Sequence, residues 1–376
     1  MTIPPFCPEP SCRFHSQDHP NIKWFRTAGC YYTKAFGTVR RYLCLHCGKW
    51  FSDQTFSLDY FVKRPVSYQV VFNHINAGSG LRAIGRTLGV NHHSIMNRIS
   101  RLARQGIAFQ AELTQDLGLT EDVAADGIES FVEDQYQPNN INLLVGSHSQ
   151  FLYDFDYAHL RRKGCMTEYQ KQQREIREQS YIRKPISIPE SFERIMDTMK
   201  VHYYKTRGAP FTLYTDEKLE YSRVIQRDPE LQLLMKKKLF THTRINSKYP
   251  RVGMNPLFPV NYFDREIRKD NANHVRETVQ FSRDVNYCMD RMAVYQLYHN
   301  YCKPYRIDDG DLSYYRHGEI AGISRELIDK GLATIFRARR FYTHVILNAS
   351  QGRVWFRMVG NLSRLSGGYW PHYVKM

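Results

Sequence analysis

The spacing of hydrophobic and polar residues changes along this chain. Between residues 65 and 106, apolar residues recur every three or four positions, which predicts short amphipathic helices. From about residue 120 to residue 300, strand-like runs alternate with helical stretches, the pattern of an α/β domain. Two apolar runs near the end, 341–347 and 354–359, predict a small β extension. Within the α/β region, the predicted strands include 141–146, 151–155 and 211–215, and a helix is predicted over 189–207.

The helical region contains a helix-turn-helix pattern. Leu81, Ile84 and Leu88 share one helical face, and Gly89 then breaks the helix before a second one with its own apolar face. The polar face of the second helix would contact DNA. Its first four polar residues would reach base edges or phosphates, and Arg101 and Arg104 would mainly reach phosphates. An ordinary helical hairpin with a solvated charged face is the alternative. The candidate DNA-binding residues are His93, Ser94, Asn97, Arg98, Arg101 and Arg104.

Charge sharpens this picture. The chain has 376 residues and a formal net charge of +16, and residues 1–106 hold 14 Lys/Arg against 4 Asp/Glu. The length allows two or three domains, and the basic N-terminal portion indicates a polyanionic partner, most commonly nucleic acid. No apolar run reaches the ~20 residues of a membrane helix, and the start lacks a signal-peptide pattern. We therefore expect a cytoplasmic protein without a membrane partner.

Two close cysteine pairs predict a zinc site. In a reducing compartment, thiols at this spacing are better explained as metal ligands than as disulfides. Cys7 and Cys12 lie about thirty residues before Cys44 and Cys47, a spacing that can place four thiolates around one tetrahedral Zn²⁺. A segment with so small a core gains stability from such a metal. The residues that could replace one cysteine are His15, His19, Cys30 and His46.

Acidic residues follow the predicted strands of the α/β region. Asp126 lies on or just after the first strand, and Asp216 comes directly after the strand 211–215. A third acidic group lies on a helix predicted to begin near Asn261. Three carboxylates on separate elements can converge to hold two Mg²⁺ ions for phosphoryl transfer. Turn and cap carboxylates are the alternative explanation.

The order of these motifs resembles that of insertion-sequence DNA transposases with an N-terminal zinc ribbon, a helix-turn-helix and an RNase H-like DDE/DDD catalytic domain. The resemblance covers roughly residues 1–303 and rests on YLCLHCGKWFSDQTF, the helix-turn-helix, VAADGIESFVED, LYTDEKLEYSRV and NYFDR followed by HVRETVQFSR. It implies a multidomain α/β protein whose catalytic acids are Asp126, Asp216 and Asp264. The third acid of the family is usually Glu, and Asp270 is the alternative to Asp264 in this chain.

The resemblance also implies partners and a division of the chain. A transposase uses two Mg²⁺ ions to cut the ends of its element and join them to target DNA, generally as a multimer. A catalytically inactive DNA-binding regulator and an RNase H-like nuclease acting outside transposition are the alternatives. The expected units are a zinc ribbon (1–60), a helix-turn-helix (61–110), an RNase H-like domain (111–304) and a C-terminal extension without an assigned role (305–376).

Overall fold

The N-terminal segment forms a small antiparallel sheet of three strands. In the computed structural model, which describes residues 4–16, 22–206, 208–246, 248–275, 278–306, 314–364 and 372–376, the strands are β1 (Phe25–Thr33), β2 (Gly37–Cys44) and β3 (Trp50–Ser52). Gly37, with φ of +66°, makes the tight turn between β1 and β2 that a residue with a Cβ would strain. The apolar core beneath the sheet is small, and it consists mainly of stacked aromatic rings and buried cysteines.

Three helices follow: α1 (Tyr68–Ile75), α2 (Leu81–Thr87) and α3 (His92–Leu113). Side-chain caps begin two of them, because Ser67 accepts a hydrogen bond from the backbone of α1 and Asn91 does so for α3. The turn between α2 and α3 passes so close to Gly85 that a Cβ there would lie 2.7 Å from the carbonyl oxygen of Val90. The helices predicted on either side of Gly89 are therefore present, and α3 continues for 22 residues into the interior.

A five-stranded mixed sheet forms the centre of the protein. Its strands are β4 (Val123–Phe131), β5 (Pro138–Gly146), β6 (Leu152–His159), β7 (Phe211–Thr215) and β8 (Phe240–Arg244). Their order is β6-β5-β4-β7-β8, with antiparallel pairing among the first three and parallel pairing of β4 with β7 and of β7 with β8. The α/β prediction is confirmed, and the parallel pairing places the end of β7 beside the first residues of β4.

Six helices lie between these strands or after them in the chain: α4 (Glu168–Gln179), α5 (Ile188–Tyr204), α6 (Leu219–Arg227), α7 (Pro229–Lys236), α8 (Phe258–Asp270) and α9 (Val285–Tyr301). The predicted helix 189–207 corresponds to α5, which begins with a capping box at Ser187 and Glu190 and packs on β5 and β6. The helix of the third acid begins three residues earlier than predicted, at Phe258. α9 is buried on nearly all sides, because it contacts α3 as well as β6.

The C-terminal segment is helical, and the predicted β extension is wrong. It contains α10 (His317–Ile320), α11 (Arg325–Leu332) and α12 (Ala349–Trp355), and the run 341–347 holds only a short 3₁₀ turn. Asn348 and Gln351 form a capping box that starts α12, and Val354 and Trp355 are buried on its inner side. Capping and tertiary burial thus outweigh the strand-like composition of 354–359. Asp308, Asp309 and Asp311 lie outside the described residues.

This segment joins parts of the molecule that are distant in sequence. The backbone N–H of Arg339 donates to the carbonyl oxygen of Phe56, and the N–H of Leu58 donates to that of Arg337. The rings of Phe6 and Phe341 lie 4.9 Å apart between centroids. One hydrophobic cluster extends from Leu58 through the central sheet to Val374. The predicted boundaries of the helix-turn-helix and catalytic units stay a prediction, and these regions share a core.

A buried ion pair gives a test of this connection. Arg357 lies 3.1 Å from the carboxylate of the buried Asp290 on α9, and both side chains bond to Ser100 on α3. Arg357→Met should lower the free energy of unfolding by about 3–5 kcal/mol, because it leaves a buried carboxylate unpaired. Urea unfolding measures this change. The double variant Asp290→Asn/Arg357→Met should regain much of the loss, and equal instability of both variants would contradict the explanation.

Candidate functional site

The four predicted cysteines form a cluster that could hold a metal ion such as zinc. Their sulfur atoms all lie within 4.8 Å of one another. The Cys7 and Cys47 sulfurs are 3.6 Å apart, and those of Cys12 and Cys44 are 3.8 Å apart. A tetrahedron with Zn–S bonds of about 2.3 Å has edges of about 3.8 Å. The donor set and spacing therefore fit a closed, structural tetrahedral site.

The candidate replacements occupy other positions. His15 uses Nδ1 to bond the carbonyl oxygen of Cys7 and Nε2 to bond the hydroxyl of Thr343, so it connects the cysteine loop to the C-terminal segment. His46 lies beside the cluster, with Nδ1 3.6 Å from the sulfur of Cys12, but it is not one of the four converging groups. Cys30 is exposed on β1. His19 lies outside the described residues.

Asp126 and Asp216 lie next to each other on the central sheet. Ala125 on β4 pairs with Thr215 on β7, so each aspartate is the next residue along one of two adjacent parallel strands. Neighbouring strands are about 4.8 Å apart, which brings the two carboxylates close together. The backbone N–H of Gly127 donates to Asp126 at 2.7 Å. The sequence indicates that each aspartate lies near a strand. It does not indicate that these two strands are neighbours, which depends on the order of strands in the sheet.

Lys218 lies between these two carboxylates. Its Nζ is 3.5 Å from Asp126 Oδ1 and 3.7 Å from Asp216 Oδ2, and its backbone N–H donates to Asp216. Burial and the nearby Asp216 charge raise the pKa of Asp126 to about 6, while Lys218 opposes this shift. The two carboxylates therefore share one cation, and their oxygen donors suit a divalent ion at the same place.

Asp264 and Asp270 lie on α8 with different partners. Arg268 Nε lies 3.1 Å from Asp264 and its guanidinium also donates to the backbone oxygen of Glu129 on β4. Asp270 is 2.8 Å from the ammonium of the buried Lys303, which also binds Glu266. Among the described residues, only the four cysteines form a group of three or more potential ligands within 4.8 Å of one another, so the carboxylates of Asp126, Asp216 and Asp264 do not converge this closely. The three-acid site stays a prediction.

The predicted recognition helix is partly exposed. His93 and Asn97 are exposed near the start of α3, and Ser94 is half-buried beside them. The arginines differ from the sequence interpretation, because their guanidinium groups donate to carbonyl oxygens of this chain. Arg98 is buried and bonds Arg64, Arg101 bonds Leu58, and Arg104 bonds Trp355. The reason is that α3 packs against the segment between β3 and α1 and against the C-terminal segment, which a helical pattern does not reveal.

Sequence reasoning missed Lys218 and Arg268. Lys218 is two residues after Asp216, on the turn that leads from β7 into α6, and this proximity was the available signal. Arg268 follows Asp264 by one helical turn, a spacing that places the two side chains together. The cationic partners of Asp216 and Asp264 are thus residues two and four positions further along the chain.

Lys218 gives a direct test of the carboxylate pair. Lys218→Met should bind Mn²⁺ about fivefold more tightly than the parent protein, because the cation no longer has to displace an ammonium ion. Electron paramagnetic resonance of free Mn²⁺ measures the affinity. Lys218→Arg, which keeps the charge, is the matched control and should not show the gain. A lower Mn²⁺ affinity in Lys218→Met would contradict the idea that the ammonium group and the metal ion compete for the position between the two carboxylates.

Comparison with known proteins adds no family assignment: no family model and no curated protein matches this chain. Within the described ranges, no helix combines the length and apolar composition that crossing a bilayer requires.

Proposed function

We propose that this protein is a DNA transposase that cuts the ends of its element and joins them to target DNA. The observation that carries the proposal is the position of Asp126 and Asp216 at adjacent parallel strands of a mixed sheet. The strand order, with the first three strands antiparallel and the next two parallel to the first, is the arrangement expected of an RNase H-like domain. A four-cysteine cluster and a helix-turn-helix precede it, in the order that the resemblance implies.

The roles of the residues follow from their chemistry. Asp126 and Asp216, with Asp264 as the third acid, would hold Mg²⁺, and the ions supply an activated water and stabilise charge at the phosphate. His93 and Asn97 would contact DNA from the start of α3, with Ser94 beside them. The cysteine cluster would hold zinc and fix the ribbon against the C-terminal segment. We also propose that the protein acts in the cytoplasm as at least a dimer, since a transposase joins two element ends.

A DNA-binding regulator without catalysis is the second candidate. Lys218 between Asp126 and Asp216, and Arg268 at Asp264, favour it because each acid already has a cationic partner. The replacement of the usual Glu by Asp264 points in the same direction. An RNase H-like nuclease acting outside transposition would use the same acids and differ only in its DNA substrate.

The deciding experiment is cleavage of DNA that carries the inverted repeats flanking the gene. With Mg²⁺, the purified protein is expected to cut at the repeat ends and to transfer the free 3′-hydroxyl end into a plasmid. The control substrate has scrambled repeats of the same length. Binding to the repeats without cutting would support the regulator, and equal cutting of both substrates without strand transfer would support the nuclease.

A further inference from the structure

A cleft of about 850 Å³ separates the three-stranded sheet from the start of α3. We call it the ribbon–helix cleft and define it by Trp50, Phe61, Lys63, Arg64, His93 and Asn97, which line it. Its volume lies within the range of about 300–1,000 Å³ that is typical of ligand sites. It is remote in sequence from the carboxylate pair, and none of the roles proposed above for Asp126 and Asp216 uses it.

The cleft presents aromatic rings to solvent. Phe61 is 71% exposed and Trp50 is 51% exposed. Phe61 also has a φ of +59°, a conformation that costs a bulky residue of order 1–3 kcal/mol and persists only where the surroundings impose it. The ring of Tyr60 lies 4.4 Å from that of Phe61, and the guanidinium of Arg41 lies 4.7 Å from the centre of the Trp50 ring. Large exposed rings held in this way are suited to stacking.

The charge of the cleft is positive. Lys49, Lys63, Arg64, Arg98 and Arg101 line it, and no Asp or Glu side chain appears among its described lining residues. Lys49 forms an ion pair with the half-buried Glu9 at 3.0 Å. Arg98 and Arg101 donate to carbonyl oxygens, and the carboxylate of Asp59 also lies close enough to interact with both. Lys63 and Arg64 are both exposed and contribute positive charge at the surface of the cleft. A polyanion therefore complements this surface.

We propose that the ribbon–helix cleft binds an unpaired nucleic-acid strand, with bases stacked on Trp50 and Phe61. Base faces are hidden in a duplex and are available to aromatic side chains only when the strand is unpaired. The surrounding cations would follow the phosphates, and the exposed His93 and Asn97 could bond base edges. This proposal rests on the proposed function in one respect, that the partner is a nucleic acid. It does not require the protein to be catalytically active.

The test compares a labelled twelve-nucleotide oligo(dT), the matching oligo(rU) and a hairpin duplex, using fluorescence anisotropy with the full-length, zinc-loaded protein. Phe61→Ala and Trp50→Ala are each expected to weaken oligo(dT) binding by roughly 5- to 150-fold, the effect of losing one stacked base. Duplex affinity should change less than twofold. Tyr169→Ala, which removes an exposed ring from α4, is the matched control and should leave all three affinities unchanged. Preference for oligo(rU) over oligo(dT) would identify RNA as the source of the strand.

Several results would overturn the proposal. Unchanged oligo(dT) affinity in both variants, with zinc content and circular dichroism intact, would show that no base stacks on these rings. An equal loss of affinity for the duplex and for the single strand would indicate a surface that binds phosphates only. If an acidic peptide bound the cleft without displacing DNA, the cleft would be a protein-binding site. A protein that cleaves DNA but shows no stacking on these rings would refute this proposal alone, whereas a protein that shows stacking but does not cleave would refute only the proposed transposase activity.

Discussion

Asp126→Asn and Asp216→Asn are each expected to lower Mg²⁺-dependent DNA cleavage by roughly 10³-fold or more. Each change removes one of the two carboxylates that share Lys218 on the adjacent strands β4 and β7. Stabilisation by a metal ion at a phosphoryl group is worth several kcal/mol, and each 1.36 kcal/mol corresponds to a tenfold change in rate. Single-turnover cleavage of the inverted-repeat substrate measures the effect.

Binding to the same DNA separates chemistry from recognition. The affinity should stay within about twofold of the parent protein, since neither aspartate lies on the helix-turn-helix or the ribbon. Asparagine keeps the size of the side chain, so the unfolding midpoint should change little. Cleavage at the parental rate in either variant would refute the assignment of the site.

The third acid is tested by comparing Asp264→Asn with Asp270→Asn. Asp264 is the third acid of the proposed site, so its replacement should abolish cleavage. The fold should stay intact, because Arg268 still donates to the backbone of β4. Asp270 belongs to the buried cluster with Lys303 and Glu266, so its replacement should mainly lower the free energy of unfolding. Paired cleavage and urea-unfolding measurements distinguish these effects. If only Asp270→Asn abolished cleavage in a stable protein, the alternative acid would be correct.

Loss of the cysteine cluster is expected to have the second large effect. Cys44→Ser should abolish stoichiometric zinc binding and unfold the three-stranded sheet, because the aromatic core around Trp24 and Phe51 is too small to be stable alone. Metal binding contributes roughly 10–16 kcal/mol to the folding of zinc-finger peptides at neutral pH. Zinc content, measured by mass spectrometry, and proteolysis of the ribbon report the two consequences.

Cys30→Ser provides the matched control in the same sheet. Cys30 is exposed on β1 and lies outside the four converging sulfurs, so this variant should bind one zinc per chain like the parent. Cys44→Ser should also release the C-terminal segment near Thr343, since His15 bonds both Thr343 and the backbone of Cys7. Equal zinc content in both variants would contradict the ligand assignment.

The sequence predicted helices and strands well where apolar spacing or a turn residue alone decides the local structure. The strand 211–215 and the helices on both sides of Gly89 follow from apolar spacing and from turn residues, and both are present. The cysteine cluster followed from the spacing of the thiols. Prediction failed at 354–359, because a capping box and burial of Trp355 favoured a helix over a strand-like composition.

What the sequence by itself determined is the inventory: the cysteine pairs, the two helices on either side of Gly89, the alternating strands and helices, and acids placed on strands or directly after them. Only the tertiary structure decided which of these groups meet. Strand register placed Asp126 beside Asp216, and the turn after β7 placed Lys218 between them. The packing of α3 buried Arg98, a residue that the helical pattern had placed on the DNA-reading face. These outcomes depend on contacts between residues far apart in the chain, which local spacing does not specify.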